Sequence, residues 1–295
     1  MRTADPARPR LHLVDATYEL FRAYFAQPSR KAPDGREVGA VRGLLSTLMV
    51  LTREATHIAC ATDHVVRSFR NDLYAGYKTG DGLAEELTSQ FLLAEDAMRA
   101  LGLVVWPMVE FEADDAIAAG AARFSEEAGQ VLIASVDKDL AQCVDGTRVV
   151  MLDRKNDNAV LDEDGVTRKF GVKPASIPDF LALVGDSADG YPGLPGWGEK
   201  SAAAVLSAFG TIERIPREAS AWGIKVRGAD KLAQTLAAQT DEARLFKQLA
   251  TLRTDVPLIE SFEDLAYRGA RPELRAFCES LGMPDLVKRV TRWCS

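Results

Sequence analysis

Between residues 9 and 152, short apolar runs of β type alternate with stretches whose apolar residues recur at the helical period, and few folds satisfy that alternation. The runs are Leu11 to Val14, Ile58 to Thr62, Leu103 to Trp106, Val131 to Ser135 and Arg148 to Leu152. The intervals between the first four have room for helices. Leu44, Leu45, Leu48 and Leu51 mark one, and Leu87, Phe91 and Leu92 with Ala94 and Met98 mark another. Strands joined by helices predict an α/β unit with a mainly parallel sheet covered on both faces, and ligands in such sheets bind beyond the carboxyl ends of the strands. From Asp153 to Gly171 the sequence turns polar, through Asn156-Asp157-Asn158 and Asp162-Glu163-Asp164-Gly165, which predicts a hairpin or loop. Strand patterns then stop, and Pro and Gly punctuate helical stretches at Ser201 to Phe209, Lys231 to Ala238 and Asp241 to Thr251. An α/β domain over 1–170 and a helical domain over 171–295 are therefore expected.

With 47% hydrophobic and 27% charged residues, composition excludes disorder, collagen-like repeats and small disulfide scaffolds. No apolar run approaches the roughly 18 residues of a membrane span. Met1 to Arg10 carries Asp5 and two prolines where a signal peptide would be apolar, so a cytoplasmic protein is expected. The four cysteines, Cys60, Cys143, Cys278 and Cys294, are far apart and form no zinc or redox motif. Cys60 and Cys143 are expected as small core residues and Cys294 as an exposed thiol.

Acidic residues fall where the crevice of such a sheet should be. Asp15 follows the first strand and Asp63 the second, while Glu112, Asp114 and Asp115 open the helix after Trp106-Pro107. Asp137 and Asp139 follow the fourth strand, on one face if the extended conformation continues, and Asp186 and Asp189 are neighbours on a helix face or across a turn. Singly, each is explained as a turn former or helix cap. Nine carboxylates converging on one crevice would repel one another unless cations lay between them, and oxygen ligands without His or Cys suit Mg²⁺ or Mn²⁺. His64 beside Asp63 fits a solvated loop better than a catalytic role. The net charge of −7 argues against a nucleic-acid partner, but setting aside these nine of the 43 acidic residues leaves 34 against 36 basic ones, which removes the objection without becoming support.

Two further segments carry phosphate-binding chemistry. Arg67, Arg70 and Lys78 are interleaved with Phe69, Tyr74 and Tyr77, the composition of a platform for single-stranded nucleic acid, and equally of an amphipathic helix burying Phe69, Leu73 and Tyr77. Gly193-Leu-Pro-Gly196-Trp-Gly198-Glu-Lys200-Ser201 opens a helix after closely spaced glycines. It is either a Pro-Gly connector or, as order and context favour, a helix-hairpin-helix turn gripping a nucleic-acid backbone.

In order along the chain, these motifs resemble the 5′–3′ exonuclease and flap endonuclease family, in particular the nuclease domain at the front of bacterial DNA polymerase I. The resemblance runs from Leu11 to about Leu258 through Leu-Val-Asp15 with Phe21-Arg22-Ala23-Tyr24; Asp63 with Ser68-Phe69-Arg70 and Tyr77-Lys78; Glu112-Ala-Asp114-Asp115; Asp137-Lys-Asp139-Leu; Gly185-Asp186 with Asp189; Gly196-Trp-Gly198-Glu-Lys200; and Leu252-Arg-Thr-Asp255. Trp197 stands in place of a small aliphatic residue, Gly190 in place of Asn, and the stretch after Lys78 lacks the family's basic and Met-Pro residues. The resemblance implies a PIN-like (resolvase-like) parallel-sheet core with a helical arch, then an all-α helix-three-turn-helix (helix-hairpin-helix) DNA-binding domain.

It also implies two divalent cations held, directly or through water, by Asp15, Asp63, Glu112, Asp114, Asp115, Asp137, Asp139, Asp186 and Asp189, and a potassium ion at the glycine turn. Arg70 and Lys78 would hold the scissile phosphate and Tyr77 would stack on a base. Arg67, Tyr74, Gly193, Gly196, Gly198, Lys200 and Ser201 complete the expected DNA-binding set. The expected activity is hydrolysis of DNA at 5′ flaps, nicks and single-strand/duplex junctions, with RNA primers as further substrates, by a monomer working beside a polymerase and a ligase in the nucleoid. With the sequence ending at Ser295, no attached polymerase is expected. A PIN-type ribonuclease and a junction-binding module without catalysis are the rivals.

Overall fold

The computed structural model describes residues 2–153 and 159–294; the expected turn at Asn156-Asp157-Asn158 lies outside the described residues. In chain order, β1 (Arg10–Asp15) leads to α1 (Ala16–Ala26) and α2 (Gly39–Leu51), then β2 (His57–Asp63), α3 (Arg70–Leu73), α4 (Glu85–Thr88), α5 (Phe91–Ala100) and β3 (Val104–Met108). There follow α6 (Ala113–Phe124), β4 (Gln130–Ala134), β5 (Val149–Asp153), β6 (Ala159–Leu161), α7 (Glu163–Phe170), α8 (Ile177–Val184), α9 (Glu199–Phe209), α10 (Ala229–Ala238), α11 (Thr240–Ala250), α12 (Leu274–Ser280) and α13 (Pro284–Val287). Among the described residues no helix is long and apolar enough to cross a membrane.

The chain forms two compact units that do not follow chain order: residues 4–66, 80–135 and 253–295 make one, and residues 1–3, 67–79 and 136–252 the other. In the first, β3, β2, β1 and β4 lie side by side, all parallel, with Leu13 opposite Ala59 on one side and Ile133 on the other. The five strands predicted from the sequence are all present, with ends shifted by one or two residues. Alternate side chains serve the two faces. Val14, Ile58 and Cys60 join the core with Leu44, Leu45, Leu48 and Met98 of α2 and α5. On the other face α6 comes so close that a Cβ on Gly120 would lie 2.9 Å from the Trp106 ring and 3.5 Å from Leu13.

Two expectations need correction in this unit. The helix through Leu87 and Met98 is broken into α4 and α5, because the buried Gln90 turns its side chain inward: its Oε1 accepts from the Val41 N–H (3.1 Å) at the start of α2 and its Nε2 donates to Glu86 O (2.7 Å). Leu92 consequently points outward and is 59% exposed. The residues after 265, expected in the helical domain over 171–295, complete the core of this unit instead. Leu274, Cys278, Leu281, Met283 and Leu286 are buried in it, and backbone N–H groups of Tyr267 and Arg271 donate to Thr56 O (2.9 Å) and Ala100 O (3.0 Å).

In the second unit β5 pairs antiparallel with β6, Met151 opposite Leu161. The helices pack around α8, whose Ile-Pro-Asp-Phe-Leu-Ala-Leu-Val sequence is buried over its first seven residues, as an all-round apolar helix must be. Pro178 starts it and Gly185, at φ +89°, stops it. α9 and α11 flank it, and α11 carries Lys247 onto the buried Asp179 (2.8 Å). The segment expected to form a helical arch contributes only the four-residue α3 here and the four-residue α4 in the other unit. Gly80 and Gly82, both at positive φ, lie between them and disfavour a longer helix.

Candidate metal centre

In the parallel-sheet unit the predicted acidic residues sit at strand ends and helix starts. Asp15 ends β1 and caps α1; its Oδ1 accepts from the Tyr18 N–H (2.8 Å) and its Oδ2 from the Ser135 hydroxyl (2.9 Å). Asp63 ends β2; its N–H donates to Thr17 Oγ1 (2.8 Å) and its Oδ1 accepts from the Ala113 N–H (2.8 Å) at the start of α6. Glu112 is the N-cap of α6, and Asp115 Oδ2 accepts from the Glu112 N–H (3.0 Å) to form a capping box. Asp115 is fully buried and its Oδ1 accepts from the Arg253 N–H (2.9 Å). Asp114, half-buried, lies in the first turn of α6. Capping is thus real for these residues, and it fixes the carboxylates at the carboxyl edge of the sheet.

In the other unit Asp137, Asp139, Asp186 and Asp189 are set by turns. The strand ends at Ala134, and the Asp139 N–H donates to Asp137 Oδ1 (3.0 Å) where a 3₁₀ turn over Asp139–Cys143 begins. The extended conformation that would have put Asp137 and Asp139 on one face therefore does not continue; an Asx turn holds them together. Asp186 and Asp189 are neighbours across a turn after α8, in which Asp186 O accepts from the N–H groups of Gly190 (2.9 Å) and Tyr191 (3.0 Å). Gly190 adopts φ +91°, and a Cβ there would lie 2.2 Å from Gly76 O. That close approach lets the Lys78 N–H donate to Asp189 O (2.9 Å), setting Lys78 beside the turn.

Carboxylate oxygens of Asp139, Asp186 and Asp189 all lie within 4.8 Å of one another. Lys78 Nζ reaches Asp189 Oδ1 (2.9 Å) and Lys138 Nζ reaches Asp186 Oδ2 (2.8 Å). Asp139 is 5% exposed, and its Oδ1 is buried without a hydrogen-bond partner among the described residues. Burial first, then the charges of Asp137, Asp189 and Asp186, push its carboxyl well above the usual range, which Lys78 only partly offsets. An all-oxygen donor set with one orphaned, buried oxygen fits a hard divalent cation.

The predicted phosphate-binding residues divide. Lys78 stands at the carboxylates, but Arg70, expected with it at the phosphate, is 1% exposed; its Nε donates to Leu249 O (2.8 Å) and its Nη2 to Thr251 O (3.3 Å), where it serves the carboxyl end of α11. Tyr77, expected to stack on a base, is buried beneath the Lys78 amine, which lies 5.5 Å from its ring centre. Neither does an amphipathic helix form, since α3 ends at Leu73, itself exposed. Arg67 is exposed, and Tyr74 meets Phe246 edge-on at 5.8 Å. In the glycine turn, Gly193 is buried at φ +67°, where a Cβ would lie 2.4 Å from Gly185 N, so it closes the turn against the end of α8. Gly196, Gly198 and Lys200 are exposed; the Gly198 N–H donates to Ser201 Oγ (3.0 Å) as α9 begins. Trp197 is buried beside Trp222, 6.2 Å between ring centres.

His64 Nδ1 pairs with Glu95 Oε1 (2.9 Å), which also accepts from Thr62 Oγ1 (3.1 Å). Cys143 and Cys294 are both half-buried, so Cys143 is not fully in the core and Cys294 is not an exposed thiol: its Sγ lies 3.0 Å from Gly269 O. Sequence reasoning missed Ser135, Lys138 and Tyr191. The first two could have been found, Ser135 because Ala134 lies opposite Val14 in the register that ends β1 at Asp15, and Lys138 because it separates two acids.

Comparison with known proteins agrees along the chain. A family model described as 5′-3′ exonuclease, N-terminal resolvase-like domain, matches residues 10–171, and one described as 5′-3′ exonuclease, C-terminal SAM fold, matches residues 172–273, past the Leu258 limit of the sequence resemblance. The chain is 37% identical over 297 residues to DNA polymerase I of Rhizobium leguminosarum and 32% identical over 289 residues to that of Bacillus caldotenax, with 96% of the chain covered in both. It spans only 28% and 32% of the length of these relatives. Among solved structures, the T5 D15 protein co-crystallized with metal ions superposes with a TM-score of 0.67 at 18% identity, covering 95% of this chain and 96% of that one. The catalytic core of Rad2 in complex with DNA substrate gives 0.59 at 15% identity, covering 95% and 91%. These structural likenesses concern the fold: a resolvase-like α/β domain followed by a helical SAM-like one.

Proposed function

Since this chain belongs to the 5′-3′ exonuclease family, we propose that it is a structure-dependent 5′ nuclease that hydrolyses DNA phosphodiester bonds with two divalent cations, Mg²⁺ or Mn²⁺. The observation that carries the reading is the Asp139, Asp186 and Asp189 group with its buried, unpartnered oxygen. Those residues with Asp137, and Asp15, Asp63, Glu112, Asp114 and Asp115, would hold the ions directly or through water. When bound, such ions lower the pKa of an attacking water and stabilise the leaving 3′ oxygen. Lys78 offsets charge developing on the phosphoryl oxygens. Arg70, tied to the end of α11, positions the segment that carries Lys78 instead of meeting the phosphate. The exposed backbone from Gly196 to Lys200 at the start of α9 would grip a nucleic-acid backbone, with a potassium ion at the turn, and the division of labour between core and clamp falls near residue 170. Replication and repair of DNA in the bacterial cytoplasm, as a monomer beside a polymerase and ligase and with flaps or RNA primers as substrates, completes the proposal.

The test is a comparison of a 5′-flapped DNA duplex with single-stranded RNA under Mg²⁺. Cleavage at the flap junction leaving a 5′ phosphate is expected; a preference for RNA would favour a PIN-type ribonuclease, and binding without cutting a junction-binding module.

A pH dependence follows from Asp139. Its folded pKa lies above the unfolded value of 3.8, so the native protein holds more protons than the unfolded chain between those values, and this group's contribution to metal-free stability falls as pH rises through that window. Divalent ions relieve the repulsion. An ion present at about 100 times its pH 8 dissociation constant should add roughly 2.7 kcal/mol there, and the same ion concentration should shift Tm less at pH 5. Equal shifts at both pH values would contradict the assignment.

A further inference from the structure

Tyr191 ends the turn that carries Asp186 and Asp189, and no motif singled it out. It is 1% exposed, and its phenolic hydroxyl has no hydrogen-bond partner among the described residues. A hydroxyl buried unpaired in this way has given up its hydration for nothing in return, which calls for a reason. Nor can the ring swing away. Its backbone exchanges two hydrogen bonds with Asp186, N–H to O at 3.0 Å and O from N–H at 2.8 Å, and its face stacks on Phe246 at 5.7 Å with 24° between the planes.

Around the hydroxyl lie the carboxylates of Asp139, Asp189, Asp186 and Asp137, close enough for their charges to act on it, and a phenol is a hydrogen-bond donor. None of these carboxylates accepts its proton directly, although each is an acceptor. Asp139 Oδ1, buried in the same group, is an acceptor likewise without a donor. One unpaired donor and one unpaired acceptor, both buried beside three carboxylates, are what the waters of a hydrated cation would pair. Mg²⁺ in particular keeps several of its waters when protein carboxylates bind it.

We propose that Tyr191 is a positioning residue of this centre, its hydroxyl donating a hydrogen bond into the hydration shell of the ion held by Asp139, Asp186 and Asp189. The inference rests on the divalent-ion reading of those carboxylates. Partners of this kind around a metal commonly carry 10- to 100-fold in affinity.

Tyr191→Phe removes the oxygen and keeps the ring that packs on Phe246. In the full chain, Mn²⁺ binding followed by electron paramagnetic resonance should weaken by on the order of 10-fold. The melting temperature in chelator should stay level or rise, because the variant no longer buries an unpaired hydroxyl. Asp186→Asn is the control for the site itself. If Asp186→Asn weakens Mn²⁺ binding and Tyr191→Phe does not, the role of Tyr191 is refuted while the metal site stands. If neither variant changes Mn²⁺ binding, the divalent-ion reading fails and this inference with it. A lower melting temperature of Tyr191→Phe in chelator, with Mn²⁺ affinity intact, would assign the hydroxyl to the fold instead.

Discussion

Lys78→Ala should slow single-turnover cleavage of a 5′-flapped DNA by on the order of 10²–10³-fold, the usual loss when one electrostatic donor to a phosphoryl transition state is removed. The ammonium stands 2.9 Å from Asp189 Oδ1 and is anchored through its own backbone N–H on Asp189 O, so its position is set by the same turn that sets the carboxylates. Its neighbourhood gives the variant a second signature. Lys78 competes with a divalent ion for Asp189, and without it Mn²⁺ should bind as tightly as before or more tightly. Slow chemistry with undiminished metal affinity separates a role in the transition state from a merely structural one. An unchanged single-turnover rate, with only the affinity for DNA reduced, would remove Lys78 from the chemistry.

The second large effect concerns stability. Lys247 reaches Asp179 (2.8 Å), and its amine also donates to Glu213 Oε2 (2.9 Å); Asp179 is 1% exposed and otherwise accepts from the Ile212 N–H (2.8 Å). Burial already raises the Asp179 carboxyl, and the Ile212 N–H and Lys247 pull it back. Lys247→Met keeps the aliphatic stem and removes the charge, leaving a buried carboxylate with one backbone donor. Breaking a buried pair in this way costs about 3–5 kcal/mol, far more than an exposed pair is worth. Because the variant's Asp179 would take up a proton in the folded state more readily than when unfolded, the deficit should be larger at pH 8 than at pH 5. Denaturant unfolding at both pH values measures it; a loss below about 1 kcal/mol would mean that water reaches Asp179.

Much of this was legible in the sequence where one local rule decides the outcome. Parallel strands covered on both faces are continuous apolar runs, so Leu11 to Val14 and Val131 to Ser135 could be placed within a residue or two of their observed ends. Acids directly after such runs had to lie at the carboxyl edge, as Asp15 and Asp63 do. What failed depended on partners remote in sequence. Arg70 has the composition of a phosphate ligand, but two of its acceptors are carbonyls 179 and 181 residues away, and it is buried. Gln90 breaks a helix whose apolar spacing was intact because it satisfies the Val41 N–H, 49 residues earlier. Asp137 and Asp139 come together through a turn, and neither their spacing nor the strand before them announces it. Tyr191 had no motif at all; its interest arises only from burial without a partner.

The most direct measurement follows a 5′-labelled flap substrate with the wild-type chain and Asp139→Asn, in Mg²⁺ and in chelator. Cleavage at the junction is expected only for the wild type and only with the divalent ion, while Asp139→Asn, relieved of a buried charge, melts no lower than the wild type in chelator. Cleavage that continues undiminished in chelator, or an Asp139→Asn enzyme that cuts as fast as the wild type, would contradict the divalent-ion reading.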